Sequence, residues 1–143
     1  MEAKLKGLSP ILWTKNLEET ISFYMNVLGF KNQSNFPNFA SLTKDNVEIM
    51  MIVPAEEPGE CDAQNSDDAF FTSARLTGSI FIFTENVDEL WDKVKDKATI
   101  KTVIADREYL MRDFSILDNN GYELVFGQDI SNQKALLKQQ LNS

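Results

Sequence analysis

The chain has 143 residues, 43% hydrophobic and 25% charged, which is long enough to bury a core without disulfide or metal staples. Its formal net charge of −8 argues against a polyanionic partner such as nucleic acid, and the absence of any histidine removes the Ser-His-Asp and Cys-His schemes. The single cysteine, Cys61, leaves no internal disulfide, no signal-peptide pattern is present, and no apolar run approaches the roughly 20 residues of a membrane span, so a cytoplasmic location is expected.

Gly7 to Thr14 reads as a first strand, with Pro10 marking an edge or an end. Asn16-Leu17-Glu18-Glu19 has the form of a capping box, Asn16 capping and Glu19 reaching back. The helix it opens carries Leu17, Ile21, Tyr24, Val27 and Leu28 on one face, and Gly29 stands where left-handed backbone ends a helix. Phe30 to Gln33 begins a strand that Phe36-Pro37-Asn38 breaks, and a hairpin, F-A-S-L-T-K-D-N-V-E-I-M-M-I-V, runs from Phe39 to near Pro54. Residues 55–77 hold Glu56, Glu57, Glu60, Asp62, Asp67 and Asp68 with no basic residue before Arg75. They read as an acidic linker, or as an acidic lid over a ligand site. Cys61 lies within them without cationic neighbours, so its thiol is expected to be inert.

The second half repeats this order. Gly78 to Thr84 is a strand, Asn86-Val87-Asp88-Glu89 a second capping box, and a helix with Val87, Leu90, Trp91 and Val94 on one face runs to about Lys97. Thr99–Ala105 and Tyr109–Leu117 are strands. F-S-I-L-D-N-N-G-Y-E-L-V-F-G-Q, from Phe114 to Gln128, then turns at Asp118-Asn119-Asn120-Gly121 and returns. This hairpin matches the one at Phe39 position for position, placing Leu42 on Leu117 and Glu48 on Glu123. The capping asparagines are 70 residues apart and the hairpins 75. The chain is therefore a tandem duplication of a β-α-β-β-β unit, about 7–54 and 78–128, within a single domain spanning 1–143. A C-terminal helix is expected at 130–142, capped by Ser131, with Ala135, Leu136, Leu137 and Leu141 as a stripe that packs on the domain or on a partner chain.

Two such units, the helix N-L-E-E-T-I-S-F-Y-M-N-V-L-G-F and the hairpin M-R-D-F-S-I-L-D-N-N-G-Y-E-L-V-F-G-Q together resemble the vicinal oxygen chelate superfamily, the glyoxalase, bleomycin resistance protein and extradiol dioxygenase group. The likeness covers residues 7–128 except the linker. It implies an α+β fold in which tandem βαβββ units form a curved mixed sheet around a groove, with the helices on the outer face. The family's metal enzymes place a ligand on the first and last strand of each unit. Carried over by motif, those positions are Ser9, Met50, Ser79 and Val125. Two hydroxyls and two apolar side chains do not make a site for a divalent ion, so no metal, no cofactor and no catalytic residue is expected.

Period-two alternation puts Val47, Ile49 and Met51, like Tyr122, Leu124 and Phe126, under the helices. The opposite face, lining the groove that the resemblance implies, would carry Ile11, Trp13, Met50, Ile52, Phe81, Phe83 and Val125, with Ser9 and Ser79 at its floor. Trp13, Phe81 and Phe83 are then either groove walls or ordinary core. Glu48 and Glu123, two residues before Met50 and Val125, are solvated carboxylates, charges at the groove edge, or weak cation ligands. Arg112 either anchors an anionic ligand or pairs with Asp113 or Glu123, and Tyr109 either offers its hydroxyl to the groove or packs. The function that follows is stoichiometric sequestration of a small organic ligand, favoured as cationic by the acidic charge. The resemblance further implies a homodimer of the bleomycin-resistance-like branch. The alternatives are a metal-dependent lyase, isomerase or thiol transferase using Glu48 and Glu123, and an interaction module for a protein partner.

Overall fold

A computed structural model describes residues 2–54 and 76–133. The acidic stretch at 55–75 with Cys61, and the apolar stripe expected after residue 133, lie outside the described residues. The chain divides into two units, Met1–Ala74 and Arg75–Ser143. In the first, β1 (Ile11–Trp13) leads into α1 (Leu17–Asn26), then β2 (Lys31–Asn32), β3 (Phe39–Lys44) and β4 (Val47–Ile52). The second repeats the order as β5 (Ile80–Phe83), α2 (Val87–Val94), β6 (Thr99–Asp106), β7 (Met111–Leu117) and β8 (Glu123–Asp129). Each unit builds one four-stranded mixed sheet, ordered β1-β4-β3-β2 and β5-β8-β7-β6. First and last strands run parallel; all other neighbours are antiparallel. The α+β class and the βαβββ repeat are thus both present.

The ends of the elements follow from backbone chemistry. β1 is shorter than Gly7–Thr14 because Pro10 has no N–H for the ladder, although its carbonyl accepts from the Met50 N–H at 2.9 Å. Asn16 caps α1, its Oδ1 accepting the Glu19 N–H at 3.0 Å. Gly29 closes the helix at φ +76°, its N–H donating to the Met25 carbonyl at 3.1 Å. The last turn of α1 has no basic residue; Lys44 reaches over from β3 and donates to the Leu28 carbonyl at 3.1 Å.

The second capping box does not form. Asn86 takes left-handed backbone, φ +54° and ψ +51°, and its side chain caps nothing. The Val87 N–H is served instead by Gln128 Oε1 from β8, at 3.0 Å. A long-range partner has replaced the local one, and it ties the helix start to the central strand of the sheet. The helix ends at Val94, three residues before the expected Lys97. At the C-terminal boundary the Ser131 N–H donates to Asp129 Oδ1 at 2.8 Å, and residues 131–133 are helical.

Each helix covers one face of its own sheet. Leu12, Ala40, Leu42, Ile49 and Met51 are buried there with Tyr24 of α1 and Leu28 of the turn that follows it. Ile82, Phe114, Ile116, Leu124 and Phe126 are buried with Val87 and Val94 of α2, and Trp91 packs edge-on against Phe114 with ring centroids 5.2 Å apart. Each large apolar side chain removed from water contributes about 1.5–3 kcal/mol, so these two layers dominate stability. Thr14 and Thr20 are buried beside α1 as a hydroxyl pair 2.8 Å apart, which the apolar spacing did not announce. Among the described residues no helix is long and apolar enough to cross a membrane.

The pairing corrects the alignment of the two hairpins. Glu48 pairs with Thr43, five residues earlier, but Glu123 pairs with Leu117, six residues earlier. The second turn is one residue longer: Asp118 Oδ1 accepts from the Asn120 and Tyr122 N–H groups, both at 2.9 Å, and Gly121 stands at φ +94°. Leu42 therefore corresponds to Ile116 rather than Leu117. The repeat offset is 74 residues before the turn and 75 after it, and Ser41 falls on Ser115.

Replacing Gln128 with Ala is expected to destabilise the fold by about 1 kcal/mol in chemical denaturation, the usual cost of a lost N-terminal helix partner. Asn86→Gly, at a position that already has positive φ, is expected to be neutral or slightly stabilising.

Candidate functional site

The pleat that buries Ile49 and Met51 turns Glu48, Met50 and Ile52 to the face that carries no helix. Pairing brings Ile11, Met50 and Ser41 into one row across that face, and Trp13, Ile52 and Phe39 into the next. In the second unit the corresponding rows are Phe81, Val125 and Ser115, then Phe83, Gly127 and Asp113. Ile11, Trp13, Met50 and Ile52 lie on the helix-free face of the first sheet, and Phe81, Phe83 and Val125 on that of the second. Trp13 is 47% exposed, Phe81 38% and Phe83 80%, with the two phenylalanine rings 5.0 Å apart.

Two of the expected polar residues are engaged locally. Ser9, just before β1, donates to the Glu48 carbonyl at 3.2 Å, and the Glu48 carboxylate accepts the Ser41 hydroxyl at 2.5 Å. Ser79 is exposed just before β5, and Glu123 forms an ion pair with Lys101 at 3.2 Å.

Arg112 is not on this face and pairs with neither Asp113 nor Glu123. It shares the helix side of β7 with Phe114, and its guanidinium binds Asp88 of α2 at 2.8 Å and Asp106 at 3.0 Å. The arginine of the helix-free side is Arg107, which the sequence reading missed. Its Nε donates to Asp113 Oδ1 at 2.8 Å, and its Nη2 donates to the Val103 carbonyl at 2.8 Å. Tyr109 lies in the turn before β7, not in the strand, and its hydroxyl donates to Asp113 Oδ2 at 2.5 Å. Asp113, 3% exposed, thus has one charged and one neutral donor. The bond to Asp113 holds the Tyr109 phenol above the ordinary tyrosine value, helped by burial and by the Asp113 charge and opposed by Arg107. The same cluster braces a turn in which Leu110 is held at φ +62°, a conformation unfavourable for a branched apolar residue.

The residues at the family's ligand positions do not fit a divalent ion. Ser9 is bonded to a carbonyl, Met50 offers only a thioether, Val125 offers nothing, and Ser79 is a lone exposed hydroxyl. Among the described residues, no three His, Cys, Asp or Glu side chains gather where they could hold a metal.

The profile of the Glyoxalase/Bleomycin resistance protein/Dioxygenase superfamily matches residues 7–126. A bleomycin resistance protein of Geobacillus stearothermophilus is 27% identical over 127 residues, covering 85% of this chain and 95% of that one. Among solved structures, a protein of unknown function from Agrobacterium tumefaciens superposes with a TM-score of 0.69 at 15% identity, over 89% of this chain and 96% of the other. The bleomycin-binding protein of Streptomyces verticillus, solved with copper(II)-bleomycin, gives 0.62 at 16% identity, over 87% and 97%. At these identities the two structures show the fold.

Asp113→Asn is expected to cost about 2 kcal/mol in chemical denaturation, because Arg107 loses a buried partner. In the same variant the Tyr109 ultraviolet titration, isolated by subtraction of Tyr109→Phe, is expected to move down toward the ordinary value. In the wild type the fold favours the protonated phenol, so this contribution to stability is complete below the ordinary value. It is lost as pH rises through the raised one.

Proposed function

The chain belongs to the glyoxalase/bleomycin resistance protein/dioxygenase superfamily, and on that premise we propose that it is a non-catalytic binding protein for a small organic molecule. The observation that carries the reading is the set of large aromatic side chains, Trp13, Phe81 and Phe83, left exposed on sheet faces that carry no helix. A folded chain gains by burying such rings, and a flat or greasy ligand laid against them supplies that gain together with the geometric preference of aromatic stacking. The net charge of −8 favours a cationic ligand through its long-range field. The ligand positions of the family's metal enzymes hold Ser, Met, Ser and Val here, so this reading assigns no proton-transfer or Lewis-acid step to any residue. The single cysteine agrees with a reducing compartment.

Native mass spectrometry of the purified protein, alone and incubated with bleomycin, is expected to give a stoichiometric organic adduct and no bound divalent metal. A stoichiometric metal ion without an organic adduct would overturn the reading. Trp13→Ala is expected to weaken the adduct by about tenfold or more, the usual effect of truncating an aromatic anchor.

A further inference from the structure

The second unit carries a feature on its helix-free face that has no counterpart in the first. Gly127 lies in the row between Phe83 and Asp113, where its counterpart in the first unit is Ile52. A methyl group at Gly127 would stand 2.3 Å from Phe81 Cζ, 3.0 Å from Phe81 Cε1 and 3.2 Å from Met111 Cε. The place where a side chain would be is therefore filled by the tip of the Phe81 ring. The ring comes from a residue that is itself 38% exposed, and a phenylalanine side chain has other staggered rotamers to move to. One strand further, in the same row as Phe81 and Val125, stands Ser115. It is 2% exposed, and its hydroxyl has no hydrogen-bond partner among the described residues. Its neighbours in the chain, Phe114 and Ile116, are fully buried on the helix side, so the pleat aims Ser115 to the face of Phe81 and Gly127. A buried hydroxyl without a partner is unfavourable, and a ligand group that bonds it removes that penalty. Its first-unit counterpart, Ser41, is by contrast bonded to Glu48.

We propose that Gly127 and Ser115 form the specificity-determining subsite of the second unit. A flat aromatic ligand takes the place above Gly127 by displacing the Phe81 ring, which then stacks on it, and an amino or amide group on the ligand's edge bonds Ser115 Oγ. Gly127 sets the shape that is accepted and Ser115 selects the polar edge. This deepens the binding reading and rests on it.

The test uses two tricyclic probes, proflavine with two amino groups and acridine with none, titrated by fluorescence into wild type, Gly127→Ala and Ser115→Ala. Wild type is expected to bind proflavine more tightly than acridine. Ser115→Ala is expected to weaken proflavine about tenfold and leave acridine unchanged, as the loss of one hydrogen bond requires, while Gly127→Ala weakens both. No binding of proflavine to wild type, or equal loss of both probes in Ser115→Ala, overturns the subsite. So does a Gly127→Ala protein whose melting temperature shifts with its affinities intact, because the ring is then only cover for a strand glycine. A bleomycin adduct in native mass spectrometry alongside any of these failures leaves the binding reading standing, so the two fail separately.

Discussion

Strand β8 is hydrogen-bonded along both edges, to β5 and to β7, and β4 holds the same place between β1 and β3. With both edges satisfied, the only freedom left to these central strands is which side chain faces which way, and a two-residue period fixes that. Leu124 and Phe126 on one side, or Ile49 and Met51, are committed to the helix layer. A slip of one residue would bury Glu123 and Val125 in their place and expose the apolar set, which no local interaction could compensate. The longer second turn is tolerated because it adds its residue outside the ladder, where Asp118 and Gly121 absorb it.

The same constraint separates stability from recognition. Apart from polar residues such as Lys44, Arg112 and Gln128, which serve groups at the helix ends or on the helix, the strand residues facing the helices are apolar and contribute through burial. Residues facing away carry the departures from that rule: a buried carboxylate at Asp113, a glycine at 127, a hydroxyl at Ser115 and rings in partial contact with water. Asp113 is tolerable only because Arg107 and Tyr109 arrive together from one turn and satisfy both of its oxygens. That turn in turn keeps Leu110 in left-handed backbone, a local cost met by a charged network a few residues away.

Legibility in the sequence followed the range of the interactions. Local signals read well: the Asn16 cap, the Gly29 stop and the Asp118–Gly121 turn are each written within a few residues and each stands as expected. Where a distant group could outcompete a local one, the reading failed. Asn86 has the sequence of a cap, but Gln128 was already beside the Val87 N–H, and the asparagine backbone went elsewhere. Arg112 was offered Asp113 or Glu123 as its ion-pair partner, whereas the period of two groups it with Phe114 and Ile116, on the side where Asp88 and Asp106 meet it. Arg107 gave no such signal, because a residue in a turn has no period and its direction is known only from the partner it finds.

The positions that the family's metal enzymes use for ligands hold Ser9, Met50, Ser79 and Val125 here. A divalent ion needs several hard donors converging at once, so Met50 and Val125, with no hard donor between them, remove half of the set even with Ser9 and Ser79 in place. Apolar contact is not all-or-none in this way: each ring on the helix-free face adds its own area, and a face can be improved one substitution at a time. In the second unit the helix-free face carries Phe81 and Phe83 outward, with Ser115 and Asp113 on the neighbouring strand, so it is mostly apolar with a few fixed polar groups.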